Sequence, residues 1–296
     1  MDTDFGFDDL WALLLLRRYG YPIAGVSLVA GNAPLGQVVS NAVGARRAYG
    51  FDWPVWQGAG RPMKRQQETA RRIVGTTGLR SRGSQLPTAD PNAVPSDAAE
   101  ALKDWLLAPG EEPREILALG PLTNIAHLLD TRPGIGSRIS RLVWMGGSSG
   151  AGNHTPLAEF NAVADAEALA CVLEAKLNLD IVDLQFCRGC IFKETDMPKT
   201  DPLTRDLLGG YLDIALERGR TGMAIYDPLA ALAVTHPDCT RFTPCTITVS
   251  TQDDETYGAT RISKTARSTT RFATDAECDL ARLCLGALEK EAVHGP

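Results

Sequence analysis

Short apolar runs alternate with helical segments along most of this chain, and that alternation constrains its fold more than any other feature. IAGVSLVAG (23–31), PVW (54–56), EILALG (115–120), RLVWMGG (141–147) and LDIVDL (179–184) have the length and branching of buried strands. Between and after them, 36–49, 96–108, 121–130, 164–176, 202–218 and 227–235 have helical spacing. Such an order predicts an α/β fold, with a mostly parallel central sheet and helices on both faces. TITVST and YGATRIS read as late antiparallel strands, and DAECDLARLCLGALEK as a closing helix. In SDAAEALKDWLLA the expected N-cap is Ser96, with Glu100 near the capping-box position. No shift of composition marks a boundary, so all 296 residues are read as a single domain. The stretch 58–95, rich in Gly, Pro, Arg and Ser, is expected to be a long lid-like surface excursion.

Several function classes drop out on composition. A net charge of -6 gives no basic footprint for nucleic acid. The longest apolar runs fall far short of a membrane span, and Met1-Asp2 does not open a basic leader, so a cytoplasmic protein with no membrane partner is expected. Seven scattered cysteines, an odd number in a chain this long, predict reduced thiols. Cys187 and Cys190 form one CxxC without a second pair, which makes a weak case for zinc.

Acidic and amide residues gather where strands end. The chain begins MDTDFGFDDLWALLLL, so Asp2, Asp4, Asp8 and Asp9 are pressed against a run that reads as a buried helix. Asn32 follows the strand 23–31, Gly120-Pro121-Leu122-Thr123-Asn124 follows the next, and Met145-Gly146-Gly147 opens a glycine-rich loop reaching Asn153, Glu159 and Asn161. Asp227 starts a late helix. In open α/β sheets, ligands bind outside the carboxyl ends of the strands, so these remote segments would meet on one rim. Each alone has a plain explanation as a cap or a turn residue. Together, clustered carboxylates without paired His or Cys suit a hard divalent cation, which would neutralise their repulsion. An EF-hand loop counted from Asp2 would need Glu where Leu13 stands. A haloacid-dehalogenase-type phosphatase would need Thr or Val where Gly6 stands.

Seven blocks carry a resemblance. Asp-Thr-Asp-x-Gly-x-Asp-Asp (2–9), Val-Ala-Gly-Asn (29–32), Gly-Pro-Leu-Thr-Asn-Ile-Ala (120–126), Met-Gly-Gly (145–147), Gly-Asn-x-Thr (152–155), Ala-Glu-Phe-Asn (158–161) and Asp-Pro-Leu-Ala (227–230) resemble, in order, the inosine-uridine-preferring nucleoside hydrolases. The resemblance implies a Ca²⁺-dependent enzyme that splits a small-molecule ribonucleoside into ribose and base, working as a homodimer or homotetramer. It implies that Asp4, Asp9, the Thr123 carbonyl and Asp227 hold the metal, with Asp4 also the general base. It further implies that Asp8, Asn32, Asn153, Glu159 and Asn161 grip the ribose, that Met145 lines its pocket, and that Asp2 is structural. Its alternative is a catalytically weak nucleoside- or ribose-binding homologue.

Three departures from the family pattern stand out. Tyr226 occupies the place of a catalytic His before Asp-Pro-Leu-Ala, and is the candidate to act on the leaving base. Val74 replaces a second His before Gly-x-x-Gly-Leu, leaving His154 as the imidazole nearest the site. Only Met1 stands where the family has a hydrophobic strand before its first Asp, so either the first strand is unusually short or the start codon is placed too late, and loss of that strand would leave Asp4 poorly anchored. Among the tryptophans, Trp11, Trp105 and Trp144 are expected in the core.

Overall fold

A computed structural model describes residues 1–289 except 91 and 93. Its strands are β1 (Asp2–Thr3), β2 (Val26–Leu28), β3 (Val55–Gln57), β4 (Glu115–Ala118), β5 (Arg141–Met145), β6 (Leu179–Val182), β7 (Ile191–Phe192), β8 (Met223–Ala224), β9 (Thr240–Val249), β10 (Thr260–Lys264) and β11 (Thr270–Ala276). Nine of them form one sheet in the order β10-β9-β11-β6-β5-β4-β1-β2-β3, and β7 with β8 forms a small antiparallel pair. Neighbours from β3 to β11 run parallel, while β9 and β10 complete the sheet antiparallel.

Side-chain alternation explains why the apolar strands read as continuous runs. Leu117, Leu119, Val143, Met145 and Val182 enter one core, and Ile116, Ala118, Leu142, Trp144 and Ile181 the other. Both faces are covered, so both registers must be apolar. The helix Phe7–Arg18 is buried on nearly every side, including Leu10, Trp11 and Leu13 to Leu16, which is why its sequence is leucine all round. It packs against the helix Asp227–Thr235.

The chain runs from β1 to β2 and β3 on one side, then crosses to β4 on the other. The strand order therefore reverses between β1 and β4, the place where a doubly wound sheet opens a crevice. β1 is two residues long, yet it is held from both sides. Val29 N–H donates to the Thr3 carbonyl at 3.0 Å, and Leu119 N–H to the Asp2 carbonyl at 2.9 Å. The first strand is thus short but present, and its central position gives it two partner strands.

Four readings are corrected. The helix Ala98–Leu107 is capped by Asp97, whose side chain accepts from Glu100 N–H, while Ser96 bridges to Gln57. Trp105 is only partly buried, whereas Trp11 and Trp144 are core. The closing helix is Leu280–Gly286, because residues 275 and 276 belong to β11; the end of the expected helix at Lys290 lies outside the described residues. Cys239 and Cys278 are joined, contrary to the all-thiol reading. Antiparallel pairing of Thr240 with Ala276 brings the two residues beside each other, a proximity that cysteine count and spacing do not encode. Cys171, Cys187, Cys190, Cys245 and Cys284 are free.

Candidate active site

The acidic opening is a tight turn between β1 and the first helix. Phe5 takes φ +49°, an uncommon left-handed bend for a large side chain, supported by its N–H donating to Thr3 Oγ1 at 3.0 Å. Gly6 N–H donates to Asp9 Oδ2 at 2.7 Å, the return arm of a capping box, and Thr3 Oγ1 donates to the other Asp9 oxygen. Asp8 and Asp9 then sit in the first turn of one helix and Asp227 in the first turn of another. Two helix N-termini converge there, and their dipoles favour the carboxylates.

Carboxylate oxygens of Asp8, Asp9 and Asp227 lie within 4.8 Å of one another. Asp9 and Asp227 are buried and Asp8 is partly so. Asp4 stands beside this trio. Its Oδ2 accepts from Asn32 N–H at 2.7 Å and its Oδ1 from Asn32 Nδ2 at 3.0 Å. Burial, then the charge of Asp9, holds Asp4 well above the usual carboxylate range. Burial and Asp8 push Asp9 up to about 7. Asp227 is raised by burial, then by Asp8, Asp9 and Asp4 in turn. Mutual repulsion among four acids in a dry place is what a bound cation relieves, and an all-oxygen donor set suits a hard divalent ion.

Gly31 is needed for this contact. A Cβ there would come within 2.1 Å of Asp4 Oδ2. Asp2 faces away from the acids, accepting from Ser27 Oγ and, at 2.7 Å, from Asn124 Nδ2. Thr123 opens the helix that follows β4; its hydroxyl donates to Asp165 Oδ2 at 2.7 Å, and Met63 N–H donates to the same oxygen at 2.9 Å.

A cleft opens above these groups. Asp8, Asn32, Met145, Asn153, Glu159, Asn161, Tyr226 and Asp227 all line it, so the structure brings these sequence-derived residues to one place. His154 lines it too, with its Nε2 2.5 Å from Glu68 Oε2. From the 58–95 stretch, Ala70, with Ile73 and Val74 of the one-turn helix Arg71–Val74 that follows it, forms part of the wall. Asn161 Nδ2 bridges the carbonyls of Leu119 (2.9 Å) and Met145 (3.0 Å), locking the ends of two strands. Glu159 is buried and accepts from the N–H groups of Gly147, Asn161 and Ala162, yet burial still drives it up to about 7. Burial likewise pushes the Tyr226 phenol up to about 12, opposed by the charges of Arg220 and Arg188.

Sequence reasoning missed Gly31, Tyr211, Arg218 and Arg220. Tyr211 OH donates to Asp8 Oδ2 at 3.1 Å from the middle of the helix Pro202–Leu216, where nothing in its neighbours marks it. Gly31 lay within the quoted Val-Ala-Gly-Asn block, and its role shows only in the close approach.

The family model for inosine-uridine preferring nucleoside hydrolase matches residues 1–282. The chain belongs to that family. It is an enzyme, one that hydrolyses ribonucleosides to ribose and free base. It is 33% identical over 269 residues to the non-specific ribonucleoside hydrolase RihC of Shigella sonnei, covering 88% of this chain and 86% of the relative. The same protein of Escherichia coli O1:K1 is 32% identical over the same shares. Among solved structures, the plant nucleoside hydrolase PpNRh1 superposes with a TM-score of 0.86 at 20% identity, over 97% of each chain. An inosine-guanosine nucleoside hydrolase superposes with a TM-score of 0.82 at 25% identity, over 97% of this chain and 96% of that one. Among the described residues, no helix is long and apolar enough to cross a membrane.

Proposed function

We propose that this nucleoside hydrolase uses Ca²⁺, held by Asp4, Asp9, the Thr123 carbonyl and Asp227, and that Asp4 is its general base. The carrying observation is the meeting of the Asp8, Asp9 and Asp227 carboxylates, two of which, Asp8 and Asp227, line one cleft. Asp8 belongs to the same carboxylate group, which supports a reading in which it steadies the ion and accepts from a ribose hydroxyl. The cation, when bound, would polarise a water and orient the 2′ and 3′ hydroxyls.

The chain's own groups do the rest. Asp4, oriented by its two hydrogen bonds from Asn32, takes a proton from the attacking water. Asn32, Asn153, Glu159 and Asn161 hold the sugar against Met145. Positive charge grows on the sugar as the N-glycosidic bond opens, and the surrounding carboxylates stabilise it. Tyr226 lines the same cleft and, in this reading, faces the leaving base. With its phenol near 12 it serves as a hydrogen-bond donor rather than a full proton source. The protein is a single domain in this reading, and 58–95 acts as a lid over the cleft. A homodimer or homotetramer in the cytoplasm completes the proposal. The Cys239–Cys278 bridge is the observation that pulls toward an oxidising setting instead.

The test is Asp4→Asn with turnover and Ca²⁺ content followed together. Loss of turnover by 10³-fold or so with the ion retained marks a base, in line with general-base magnitudes. Loss of both marks a ligand. Unchanged turnover defeats the proposal.

A further inference from the structure

The cleft has an acidic floor and a basic rim. The helix Pro202–Leu216 ends in Glu217-Arg218-Gly219-Arg220, with Gly219 at φ +70° and Arg220 N–H donating back to the Ala215 carbonyl at 3.0 Å. This left-handed C-terminal turn sets Arg218 and Arg220 on the cleft wall with Ile214, Met223 and Tyr226. Cations are common after a helix C-terminus, where they answer the dipole. Here the nearby acids are already engaged. Glu217 pairs with Arg80 at 2.5 Å, and Arg82 takes Asp213 and Glu194, each at 2.7 Å. Among the described residues, no carboxylate pairs with Arg218 or Arg220. Two exposed guanidinium groups with no carboxylate partner therefore line the cleft, beside the apolar side chains of Ile214 and Met223.

We infer that the Arg218–Arg220 turn is an anion subsite that receives the departing nucleobase as its anion, with no imidazole needed to protonate it. The inference rests on the reading above, in which Asn32, Asn153, Glu159 and Asn161 hold the ribose and leave the rest of the cleft to the base. The bookkeeping closes without an outside reagent. The water oxygen bonds to C1′ as the C1′–N bond breaks. The bond's electron pair goes to the base nitrogen, and the water proton goes to the Asp4 carboxylate. A neutral nucleoside, water and one carboxylate become ribose, a base anion and one carboxylic acid. The anion faces the guanidinium groups, as planar cations suit a delocalised planar anion, and takes up a proton after release.

The test compares wild type with Arg220→Gln, Arg218→Gln and Arg220→Lys on inosine, uridine and 4-nitrophenyl β-D-ribofuranoside, whose phenolate leaves without help. Arg220→Gln should lower kcat/KM on the two nucleosides at least tenfold and leave the nitrophenyl riboside within twofold, with Arg220→Lys recovering most of the loss. A second readout is direct binding of free 5-fluorouracil, which ionises near neutral pH. Its affinity should rise with pH in wild type and stay flat in Arg220→Gln. Equal loss on all three substrates, or no loss on any, overturns the inference while the hydrolase reading stands. A wild type inactive on every substrate overturns both.

Discussion

Asp4 shows how much one carboxylate depends on its neighbours. Its oxygens are fixed by Asn32 from the turn that follows β2, and the space they occupy exists because residue 31 has no side chain. Gly31→Ala would force a Cβ to within 2.1 Å of Asp4 Oδ2, so the carboxylate must move. A displacement of about 1 Å at a reacting group costs about 100-fold in rate. Gly31→Ala should therefore lower kcat by that order while leaving the melting temperature within a few degrees, checked by steady-state kinetics beside thermal unfolding. The acids at 2–9 and 227 were legible because several of one charge, spaced at a strand end, exceed what capping requires. The basic rim was not. Arg218 and Arg220 look like an ordinary solvated helix end until the partners of Glu217, Asp213 and Glu194 are known.

Among elements, the parallel strands and their helices were readable because burial on both faces leaves an unbroken apolar signature. β11 was missed because only Phe272 and Ala273 of its seven residues are buried, so Thr270–Ala276 carries little pattern of its own. How the 58–95 stretch is held was not readable from its sequence. Its return leg is clamped to the helix Pro202–Leu216 by Arg82, which bonds both oxygens of Asp213 and both of Glu194. Gly209 and Gly210 allow that approach, since a Cβ on either would meet the backbone or side chains of residues 80–82. Arg82→Ala should loosen this leg. Since the network is exposed, global stability should fall by no more than about 1 kcal/mol. Trypsin should cut within 58–95 several times faster than in wild type, and KM should rise more than kcat falls. Unchanged cutting would mean that the glycine contacts alone hold the leg.

Across the whole molecule, the buried acids tie stability to pH and to the ion. Asp9 and Glu159 are raised to about 7, and Asp2 to about 6, chiefly by burial. Between the ordinary carboxylate range and those values the folded protein binds more protons than the unfolded chain, so its stability falls as pH rises. The Met1 ammonium, lowered to about 6, works the other way, but it is one group against several. Without divalent ions, the melting temperature should therefore drop from pH 5 to pH 8. Adding Ca²⁺ should raise it strongly at pH 8, where the acids are ionised, and little at pH 5. Scanning calorimetry with chelator and with added Ca²⁺ at the two pH values checks this. A gain equal at both would mean that the ion does not bind the ionised cluster.

Asp9 belongs to the first helix and Asp227 to a segment near the other end of the chain, yet their oxygens share one small volume. On the proposed ligand set, a ribosome-bound chain has no complete seat for the metal until most of its length has emerged. On that ligand set loading comes last, and a product terminated upstream of residue 227 would lack one of the proposed ligands, whatever else it manages to fold.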